Sequence, residues 1–332
     1  MSKKYNVAVV GATGVVGSMF LKVLSEKKFP IDNLILLASK RSAGKEIEYE
    51  GKKYTVEELT ENSFSGRNLD LALFSAGGSV SKIYAPIAAK EGILVVDNSS
   101  QWRMDKDIPL IVPEINIDDY NKYNSKIIAN PNCSTIQTVL PLKVLDEAYG
   151  LKRIVYTTFQ AVSGSGYKGI KDLENGVAGK KNEFYEHPIF SNCLPHIDVF
   201  LENGYTKEEE KMINETKKIL NNNTVKITAT AVRVPVFNCH SISVNVEFNK
   251  PFELDDIYDK FKTVEDLVIK DDVKNLVYPL ATDADGKDEV FIGRIRRDFS
   301  VENGINYWVV ADNVRKGAAT NAIQIAEKIL LK

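Results

Sequence analysis

The hydrophobic pattern of the N-terminal part of the chain alternates between short strands and helices. The first apolar run, Asn6 to Val10, leads into a glycine-rich turn and then into a helical pattern that continues to Leu24. Continuous apolar runs of strand length, separated by helical or loop segments, are typical of parallel strands covered on both faces. We therefore predict a Rossmann-type α/β domain. Its further strands are expected at Leu34 to Ala38, Leu69 to Ser75, Ile93 to Asp97 and Ile127 to Ala129.

The pattern changes after Gly150, where β-branched runs of strand length become frequent. Strands combined with separate helices indicate an α+β domain, and we expect an antiparallel sheet with helices on one face and a ligand or partner subunit on the other. A final helix, Arg315 to Leu331, is expected to return to the first domain. The predicted domains are residues 1–132 with helix 315–332, and residues 133–314. The predicted elements of the second domain are strands Arg153 to Ala161, Thr224 to Pro235 and Ser241 to Phe248, and helices Lys207 to Leu220 and Leu254 to Phe261.

Composition and charge argue against several classes of function. In the 332 residues, 43 Lys and Arg balance 45 Asp and Glu, so neither nucleic acid nor a membrane surface is the expected partner. No apolar run approaches the roughly 20 residues of a spanning helix, and no signal-type segment is visible, which indicates a cytoplasmic protein. Three cysteines at unrelated spacings and three histidines without ligand spacing predict neither a disulfide framework nor a metal site.

The turn after the first strand indicates dinucleotide binding. Gly11 and Gly14 begin a GxxGxxG spacing, and Thr13, Val15 and Val16 occupy the same turn. Small residues let the backbone approach a pyrophosphate while the helix N-terminus faces it. Glycines also serve plain tight turns, but their position after the first strand favours a nucleotide site.

The loop after the second strand favours NADP over NAD. An NAD enzyme usually places an Asp or Glu here for the ribose hydroxyls, and this loop has no acid. Ser39, Arg41 and Ser42 are suited instead to the 2′-phosphate of NADP. A solvated basic loop is the alternative interpretation.

Two other strand ends carry candidate ligand-binding residues. Ser75 and Gly77 lie in a second small-residue turn, which could contact the cofactor pyrophosphate or could serve as a tight helix entry. Arg103 follows the fourth strand and is placed to meet an anionic ligand, although a surface Arg is the ordinary explanation.

The stretch Asn130-Pro131-Asn132-Cys133-Ser134-Thr135 places a thiol at a strand-to-helix turn. Asn, Pro, Ser and Thr are typical of turns and helix N-caps, so Cys133 is expected at or just before the first helical turn. Backbone N–H groups there favour a thiolate and could hold a developing oxyanion. A lone Cys is more often a small buried hydrophobe.

The end of the strand that begins near Arg153 carries a glycine loop. Gln160 could present a neutral hydrogen bond to a substrate, and Ser163 and Gly164 follow in a loop expected to pass close to the cofactor. An ordinary strand-end turn is the alternative.

A bend near Pro235 supplies two further candidates. Pro235 disfavours a central strand and indicates an edge or a bend. Arg233 and His240 would flank this bend, with His240 as a candidate acid/base or as a merely satisfied buried histidine.

Taken together, these motifs resemble those of the aspartate-β-semialdehyde dehydrogenase family, from Gly11 to the last helix. The second domain would then be similar to that of glyceraldehyde-3-phosphate dehydrogenases. Those enzymes have a different sequence after the thiol, however. The motifs are GATGVVG at 11–17, SKRSAGK at 39–45, NPNCSTIQ at 130–137, FQAVSGSG at 159–166, RVPVFNCHS at 233–241 and DNVRKGAATNA at 312–322.

The resemblance implies a reversible, phosphate-dependent oxidation of L-aspartate-4-semialdehyde by NADP. In cells this runs as reduction of aspartyl-4-phosphate toward lysine (through diaminopimelate), threonine and methionine. It also implies a homodimer or homotetramer. A cysteine thioester would be the intermediate.

The resemblance also assigns roles to residues. Cys133 would be the nucleophile, His240 the acid/base, and Gln160 would orient the substrate. The implied ligands of substrate and phosphate are Arg103, Asn132, Glu208, Lys211 and Arg233, and Asn313 is implied as a cofactor contact.

Two other functions remain open at this stage. One is reduction of a different acyl phosphate, such as N-acetylglutamyl phosphate. The other is a nonenzymatic NADP-sensing or redox-sensing protein, in which Cys133 would be oxidised rather than acylated.

Overall fold

The structure, a computed structural model, describes residues 3–331 and divides them into two compact units. The residues up to Pro131 and those from Ala318 onward form the first unit, and Asn132–Gly317 form the second. The predicted boundaries lay after 132 and 314. Asn132 and residues 315–317 therefore differ from the prediction and lie in the second unit.

The first unit is built on a parallel sheet with the strand order β5-β2-β1-β6-β7-β8. All five predicted strands are present, which confirms the Rossmann-type fold. The short exposed strands β3, β4 and β5 were not predicted, because their polar sequences carry no hydrophobic signal. The strands are β1 (Tyr5–Val10), β2 (Ile31–Ala38), β3 (Glu46–Tyr49), β4 (Lys52–Thr55), β5 (Glu57–Glu58), β6 (Leu71–Phe74), β7 (Leu94–Asp97) and β8 (Ile127–Ala129).

Helices of the first unit follow the strands in chain order and cover the sheet. They are α1 (Val15–Glu26), α2 (Gly78–Lys90) and α3 (Pro113–Asn116), followed by a 3₁₀ turn at Ile117–Lys122. The helix α1 buries Phe20, Val23 and Leu24 in the same apolar cluster as strand residues Val7 and Val9.

The strand order reverses beside β1, where the ends of β1 and β6 lie next to each other. Gly11 lies at this point with φ +86°, and a Cβ there would lie 2.8 Å from the carbonyl of Ser75. A Cβ on Gly17 would lie 2.1 Å from the carbonyl oxygen of Gly11. The backbones of the turn after β1, the turn after β6 and the start of α1 therefore lie so close together that Gly11 and Gly17 have no room for a side chain. Ligands bind at such switch points in open α/β sheets.

The second unit contains a mixed sheet with the strand order β10-β9-β11-β14-β13-β12. The prediction of an antiparallel sheet was therefore wrong in part: β9 pairs with β10, and β12 with β13, in parallel. The long helical connection between β9 and β10 makes the parallel pairing possible. The strands are β9 (Leu151–Gln160), β10 (Lys226–Arg233), β11 (His240–Phe248), β12 (Leu267–Ile269), β13 (Val290–Arg297) and β14 (Gly304–Ala311).

The predicted strand Thr224 to Pro235 is shorter in the structure, because β10 ends at Arg233 before Pro235, which has no N–H to donate. As Pro235 indicated, β10 is an edge strand.

Helices of the second unit include the predicted one that begins at the thiol. The helix α4 continues through Pro141 and ends before Gly150, whose φ is +68°. The helices are α4 (Cys133–Tyr149), α5 (Gly166–Val177), α6 (Lys207–Leu220), α7 (Leu254–Lys262) and α8 (Ala281–Ala284), with 3₁₀ turns at Val162–Ser165 and Val273–Asn275.

The last helix is shorter than predicted. A π-helical turn, Arg315–Ala319, precedes α9 (Thr320–Leu330). Ala322 and Ile325 of α9 join the apolar core of the first unit. Among residues 3–331, no helix combines the length and apolar composition needed to cross a membrane.

Substituting Gly17 by Ala tests the close approach at the start of α1. We expect the free energy of unfolding to fall by roughly 1–3 kcal/mol, the usual cost of overpacking, because the new Cβ meets backbone atoms. Thermal unfolding measures the change. Gly78→Ala is the control, since its Cβ would find its nearest neighbour at 3.8 Å. Equal melting temperatures for the two variants would contradict the close approach.

Candidate active site

The topology of the second unit brings several predicted site residues to one end of its sheet. Gln160 and Arg233 are register partners at the ends of the parallel strands β9 and β10. Because β11 runs antiparallel to β9, its first residue, His240, lies at the same end, opposite Ala311 at the end of β14. Three chemically active side chains from distant parts of the sequence therefore share one sheet end.

The predicted N-cap geometry around Cys133 is confirmed, since Cys133 is the first residue of α4 and Asn132 is its N-cap. The Oδ1 of Asn132 accepts hydrogen bonds from the N–H groups of Ser134 (2.9 Å) and Thr135 (3.3 Å). These two N–H groups are therefore already occupied. The expectation that first-turn N–H groups would hold an oxyanion is therefore not supported for Ser134 and Thr135, and an oxyanion here needs a different hydrogen-bond donor.

The carboxylate of Glu208 connects three elements around the thiol. Its Oε1 accepts from Nδ2 of Asn132 (2.8 Å) and from Nε2 of Gln160 (3.2 Å). Its Oε2 pairs with Nζ of Lys211 at 3.2 Å, and Lys211 also reaches Asp198 at 2.7 Å. Glu208 and Lys211 thus face the same side of α6, as their spacing predicted.

Glu208 remains ionised although it is buried. Burial by itself raises the pKa of its carboxyl group, but the Lys211 ammonium and the hydrogen bonds from Asn132 and Gln160 outweigh this effect. The pKa is therefore lowered below its usual value, and the side chain is a fixed negative charge.

His240 is fully buried and its imidazole is neutral. Burial, with a contribution from the nearby Arg233 guanidinium, lowers the pKa of His240 well below its usual value. The N–H of Ala161 donates to Nδ1 at 3.1 Å, so the ring proton is on Nε2. Among the described residues, Nε2 has no hydrogen-bond partner. His240 therefore offers an unused N–H donor.

Because Gly164 has no side chain, the side chains of Arg233 and His240 can pack directly against its backbone. A Cβ on Gly164 would lie 2.8 Å from Nη1 of Arg233 and 3.3 Å from Nε2 of His240. Arg233 is also buried, and its Nη1 donates to the carbonyl of Ala161 at 2.7 Å. Its Nε is buried without a partner among the described residues. The guanidinium is thus held in place with hydrogen-bonding capacity left over.

Ser163 and Asn313, both predicted cofactor contacts, lie together in the second unit. Nδ2 of Asn313 donates to Oγ of Ser163 at 3.0 Å, and its Oδ1 accepts from the N–H of Cys239 at 2.9 Å. Asn313 therefore ties the 3₁₀ turn at Val162–Ser165 to the residue before His240.

Several site residues were missed by reasoning from the sequence. Glu215 is buried and accepts the backbone N–H of Asn132 at 2.6 Å; its spacing of seven residues from Glu208 placed it on the same helix face and could have indicated it. Gln137, one turn after Cys133, donates from Nε2 to the carbonyl of His240 at 3.0 Å. A Cβ on Gly317 would lie 3.0 Å from that of Cys133.

Tyr185 was also missed, and its loop sequence carried no signal. Its hydroxyl donates to Oγ of Ser165 at 3.0 Å, and its backbone N–H donates to the carboxylate of Asp172 at 2.8 Å. Burial raises the pKa of Tyr185, while the Arg233 guanidinium opposes this shift. Tyr185 thus supports the loop that contains Gly164.

The predicted nucleotide site lies in the first unit. The turn from Gly11 through Thr13, Gly14, Val15 and Val16 enters α1, and the turn from Ser75 to Gly77 enters α2. Within 4 Å, a Cβ on Gly77 would meet no atom, and one on Gly14 would meet only the Gly11 carbonyl oxygen. The glycine cradle therefore leaves backbone accessible at two helix N-termini, which suits a pyrophosphate.

The loop predicted to read the ribose phosphate has a defined shape. The N–H of Ser42 donates to the carbonyl of Ser39 at 2.8 Å, and Oγ1 of Thr13 lies 3.4 Å from Oγ of Ser42. Arg41 is exposed between these serines. The loop is thus linked to the glycine turn while its guanidinium faces solvent.

Arg103 is not an ordinary surface residue. It is buried, and its guanidinium donates to the carbonyls of Asn130 (2.9 Å) and Asn98 (3.0 Å) within the first unit. These bonds hold a positive charge on the segment that leads to Asn132.

One further cluster contains possible ligand atoms from Cys239, Asp285 and Asp312, all within 4.8 Å of one another. The carboxylate of Asp312 is engaged by the N–H groups of Gly286, Val314 and Arg315. Burial and the two nearby carboxylates raise the pKa of the Cys239 thiol, which therefore stays protonated. The Asp312 carboxylate therefore stabilises the backbone of the surrounding loops, and we assign no metal to this cluster.

Comparison with protein families defines the class of protein. Residues 6–123 match the NAD-binding domain of semialdehyde dehydrogenases, and residues 142–316 match their dimerisation domain. The fold and the site thus define a semialdehyde dehydrogenase with an NAD(P)-binding domain and a dimerisation domain.

Individual relatives narrow this class. The aspartate-semialdehyde dehydrogenase of Aquifex aeolicus is 52% identical over 335 residues, covering 98% of each protein. The crystal structure of aspartate semialdehyde dehydrogenase II from Vibrio cholerae complexed with ASA has a TM-score of 0.95 and 46% identity, covering 100% of this chain and 99% of that one. The enzyme from Candida albicans with NADP has a TM-score of 0.76 and 26% identity, covering 98% of each chain. The chain therefore belongs to the aspartate-semialdehyde dehydrogenase family of oxidoreductases, which confirms the resemblance.

The neutral state of His240 predicts a loss of stability on acidification. Below pH about 6.5 the unfolded chain binds a proton on this residue and the folded chain does not, so the free energy of unfolding falls as the pH falls. By pH 5.5 the loss from this group is about 1.4 kcal/mol. The melting temperature should therefore drop less between pH 7.5 and pH 5.5 in His240→Gln than in the wild type. His187→Gln, at an exposed histidine, is the control for the loss of a histidine as such. Equal pH dependence for His240→Gln and the wild type would refute the neutral state.

Proposed function

We propose that this protein catalyses the reversible, NADP- and phosphate-dependent oxidation of L-aspartate-4-semialdehyde. In the biosynthetic direction it reduces L-aspartyl-4-phosphate for the synthesis of lysine, threonine and methionine. The observation that carries this proposal is the arrangement in the second unit. There a cysteine begins a helix, a carboxylate connects it to Gln160, and Arg233 and His240 lie at the same sheet end as Gln160.

Cys133 is the nucleophile in this proposal. In the reductive direction its thiolate attacks the acyl carbon of aspartyl phosphate, the C–S bond forms, and the C–O bond to phosphate breaks. The position of the sulfur at the first residue of α4 favours an anion there through the helix dipole. The product of this step is a thioester on Cys133.

His240 is the acid/base of this proposal: through Nε2–H its neutral imidazole donates a hydrogen bond to the oxyanion that forms when the thioester is reduced. Its Nε2–H is buried, points into no other hydrogen bond among the described residues and is therefore preorganised for this oxygen. In the direction of aldehyde oxidation the hydroxyl proton of the thiohemiacetal passes to Nε2, which requires that the ring proton has first moved to Nδ1. In the reductive direction the oxyanion collapses to the aldehyde as the C–S bond breaks, which releases the Cys133 thiolate.

Binding of the amino-acid part of the substrate falls to three groups. Arg233 binds the α-carboxylate through its planar guanidinium, which already has one N–H fixed on the Ala161 carbonyl. The ionised Glu208 attracts the α-ammonium group, and Gln160, held on Glu208, orients the reacting carbonyl group. Fixed partners of this kind reduce the entropy lost on binding.

Arg103, Asn132 and Lys211 are the proposed phosphate ligands. Two of these are cations, and Asn132 keeps one Nδ2 proton beyond the one it donates to Glu208. Support for this assignment is the charge of the residues and their match to the family's motifs.

NADPH, when bound, supplies the hydride that reduces the thioester. The residues proposed to hold it are the glycine turn with Gly11, Thr13, Gly14, Val15 and Val16, together with Ser39, Arg41, Ser42, Ser75, Gly77, Ser163, Gly164 and Asn313. The glycine cradle at the start of α1 supports binding of the pyrophosphate, and the acid-free loop around Arg41 supports a 2′-phosphate.

We also propose that the protein is a cytoplasmic homodimer or homotetramer. The match of residues 142–316 to a dimerisation domain supports self-association. Large exposed apolar side chains in the same domain, including Val177, Phe190, Val199 and Phe200, would be covered in an oligomer.

The mechanism predicts a phosphate-dependent activity that requires the thiol. Purified protein should form NADPH from aspartate semialdehyde only when inorganic phosphate or arsenate is present. Cys133→Ala should abolish this activity, because the proposed thioester forms on Cys133, whereas Cys193→Ala, at an exposed cysteine, should retain it. Absorbance at 340 nm measures the rate. Activity without phosphate, or in Cys133→Ala, would rule out the mechanism. A preference for N-acetylglutamate semialdehyde would show that this compound, and not aspartate semialdehyde, is the substrate.

Arg41 is predicted to determine the preference for NADP. In Arg41→Asp, kcat/KM for NADP should fall roughly 10- to 100-fold, which corresponds to losing a charge-assisted hydrogen bond of about 1.5–3 kcal/mol. The value for NAD should change less than about 3-fold, because NAD has no 2′-phosphate. Lys45→Asp in the same exposed loop is the control for a general effect of charge. An equal loss for both cofactors would remove this role from Arg41.

A further inference from the structure

The helix α6 directs two buried carboxylates at the residue before the nucleophile, and the proposed reaction uses only one of them. Glu208 and Glu215 are seven residues apart and therefore lie on the same face of the helix, two turns from each other. Glu208 accepts the side-chain amide of Asn132, and Glu215 accepts its backbone N–H. Glu215 is 1% exposed, so it is not available to bulk solvent.

Each polar group of Asn132 makes at least one hydrogen bond. The backbone N–H donates to Glu215 at 2.6 Å, and Nδ2 donates to Glu208. The side-chain oxygen caps α4, and the carbonyl accepts from the N–H of Ile136 at 2.9 Å. Asn132 thus has no freedom to rotate without breaking a buried hydrogen bond, and Cys133 is the next residue in the chain.

The attachment of α6 to the rest of the second unit does not depend on Glu215 alone. Other residues already attach α6 to the rest of the second unit: Glu209 accepts the N–H of Ala231 and completes a capping box with Thr206, and Thr216 lies 3.2 Å from the hydroxyl of Tyr156. The cap of α4 is likewise made by the side chain of Asn132. The hydrogen bond from the Asn132 N–H to Glu215 adds a fixed backbone position at the residue directly before Cys133.

We propose that Glu215 is a positioning residue for the nucleophile: its carboxylate fixes the Asn132 peptide N–H and thereby sets where the Cys133 thiol lies for attack on the acyl carbon. The inference rests on the proposed function for the role of Cys133. Displacement of reacting atoms by about 1 Å can lower a rate about 100-fold, so a backbone restraint here acts on catalysis rather than on substrate binding.

Three substitutions at Glu215 separate the hydrogen bond from the charge. Gln keeps an acceptor oxygen at the same reach, Ala removes it, and Asp keeps the charge but shortens the side chain by one methylene. Asn214→Ala, an exposed neighbour on α6, is the control for disturbance of the helix. Each variant is measured for kcat and KM with aspartate semialdehyde, phosphate and NADP. Deuterium uptake is measured in a peptide covering residues 130–136.

We expect kcat to fall at least about 30-fold in Glu215→Ala and by a smaller factor in Glu215→Asp, with KM values within about 3-fold of the wild type. Glu215→Gln should stay within about 5-fold of the wild-type kcat. In the Ala and Asp variants the peptide 130–136 should take up deuterium faster, because the Asn132 N–H has lost its acceptor. Asn214→Ala should match the wild type in both measurements.

Three results would overturn the inference. One is an unchanged kcat per folded molecule in Glu215→Ala, which would leave only a structural role. Another is a Glu215→Gln variant as slow as Glu215→Ala, which would assign the effect to charge. The third is unchanged deuterium uptake in both the Ala and the Asp variants. If the wild type itself does not turn over aspartate semialdehyde, the proposed function fails, and deuterium uptake still tests the restraint on Asn132 separately.

Discussion

The second unit depends on keeping the carboxylate of Glu208 ionised inside the protein. Burying such a charge is costly unless hydrogen bonds and an opposite charge replace the water it loses. Here Asn132, Gln160 and Lys211 supply that replacement. Each of these donors comes from a different element: Asn132 is the N-cap of α4, Gln160 ends β9, and Lys211 lies on α6 itself. Satisfying the charge therefore fixes their relative positions, and removing one donor would weaken the hold on the others.

The mixed sheet converts this local constraint into an arrangement of chemical groups. Because β9 and β10 are parallel, Gln160 and Arg233 reach the same sheet end, and because β11 is antiparallel to β9, the chain delivers His240 there at the start of a strand. In a fully antiparallel sheet β10 would end at the opposite end of the sheet, away from Gln160. The side chain of Gln137 on α4 then bonds to the backbone of His240, so the helix that begins with the thiol is tied to this sheet end.

Local sequence signals predicted the parts of the structure that local physics determines. The glycine turn before α1 and the cap before Cys133 were predicted because turn and cap residues act on their immediate neighbours. The parallel pairing of β9 and β10 was not, because more than sixty residues with helices separate the two strands. The tautomer of His240 depends on an N–H 79 residues away, and the role of Glu215 depends on an N–H 83 residues away. Such contacts leave no periodic trace in a single sequence, whereas the family motifs indicated most of the candidate residues without indicating how they contact one another.

In the proposed reaction, the charges around His240 also connect substrate binding to proton transfer. Burial and the uncompensated Arg233 guanidinium both hold the imidazole neutral in the structure. In the proposed complex the α-carboxylate of the substrate pairs with Arg233 and cancels part of that positive field, while burial remains. The imidazole then becomes more basic only after the substrate has bound. During aldehyde oxidation the hydroxyl proton of the thiohemiacetal has to leave, and the more basic imidazole takes it up at Nε2 once its own ring proton has moved to Nδ1. Because the Arg233 charge lowers the proton affinity of the imidazole in the free protein, the pairing of Arg233 with the substrate carboxylate couples acid/base chemistry to the presence of an anionic substrate.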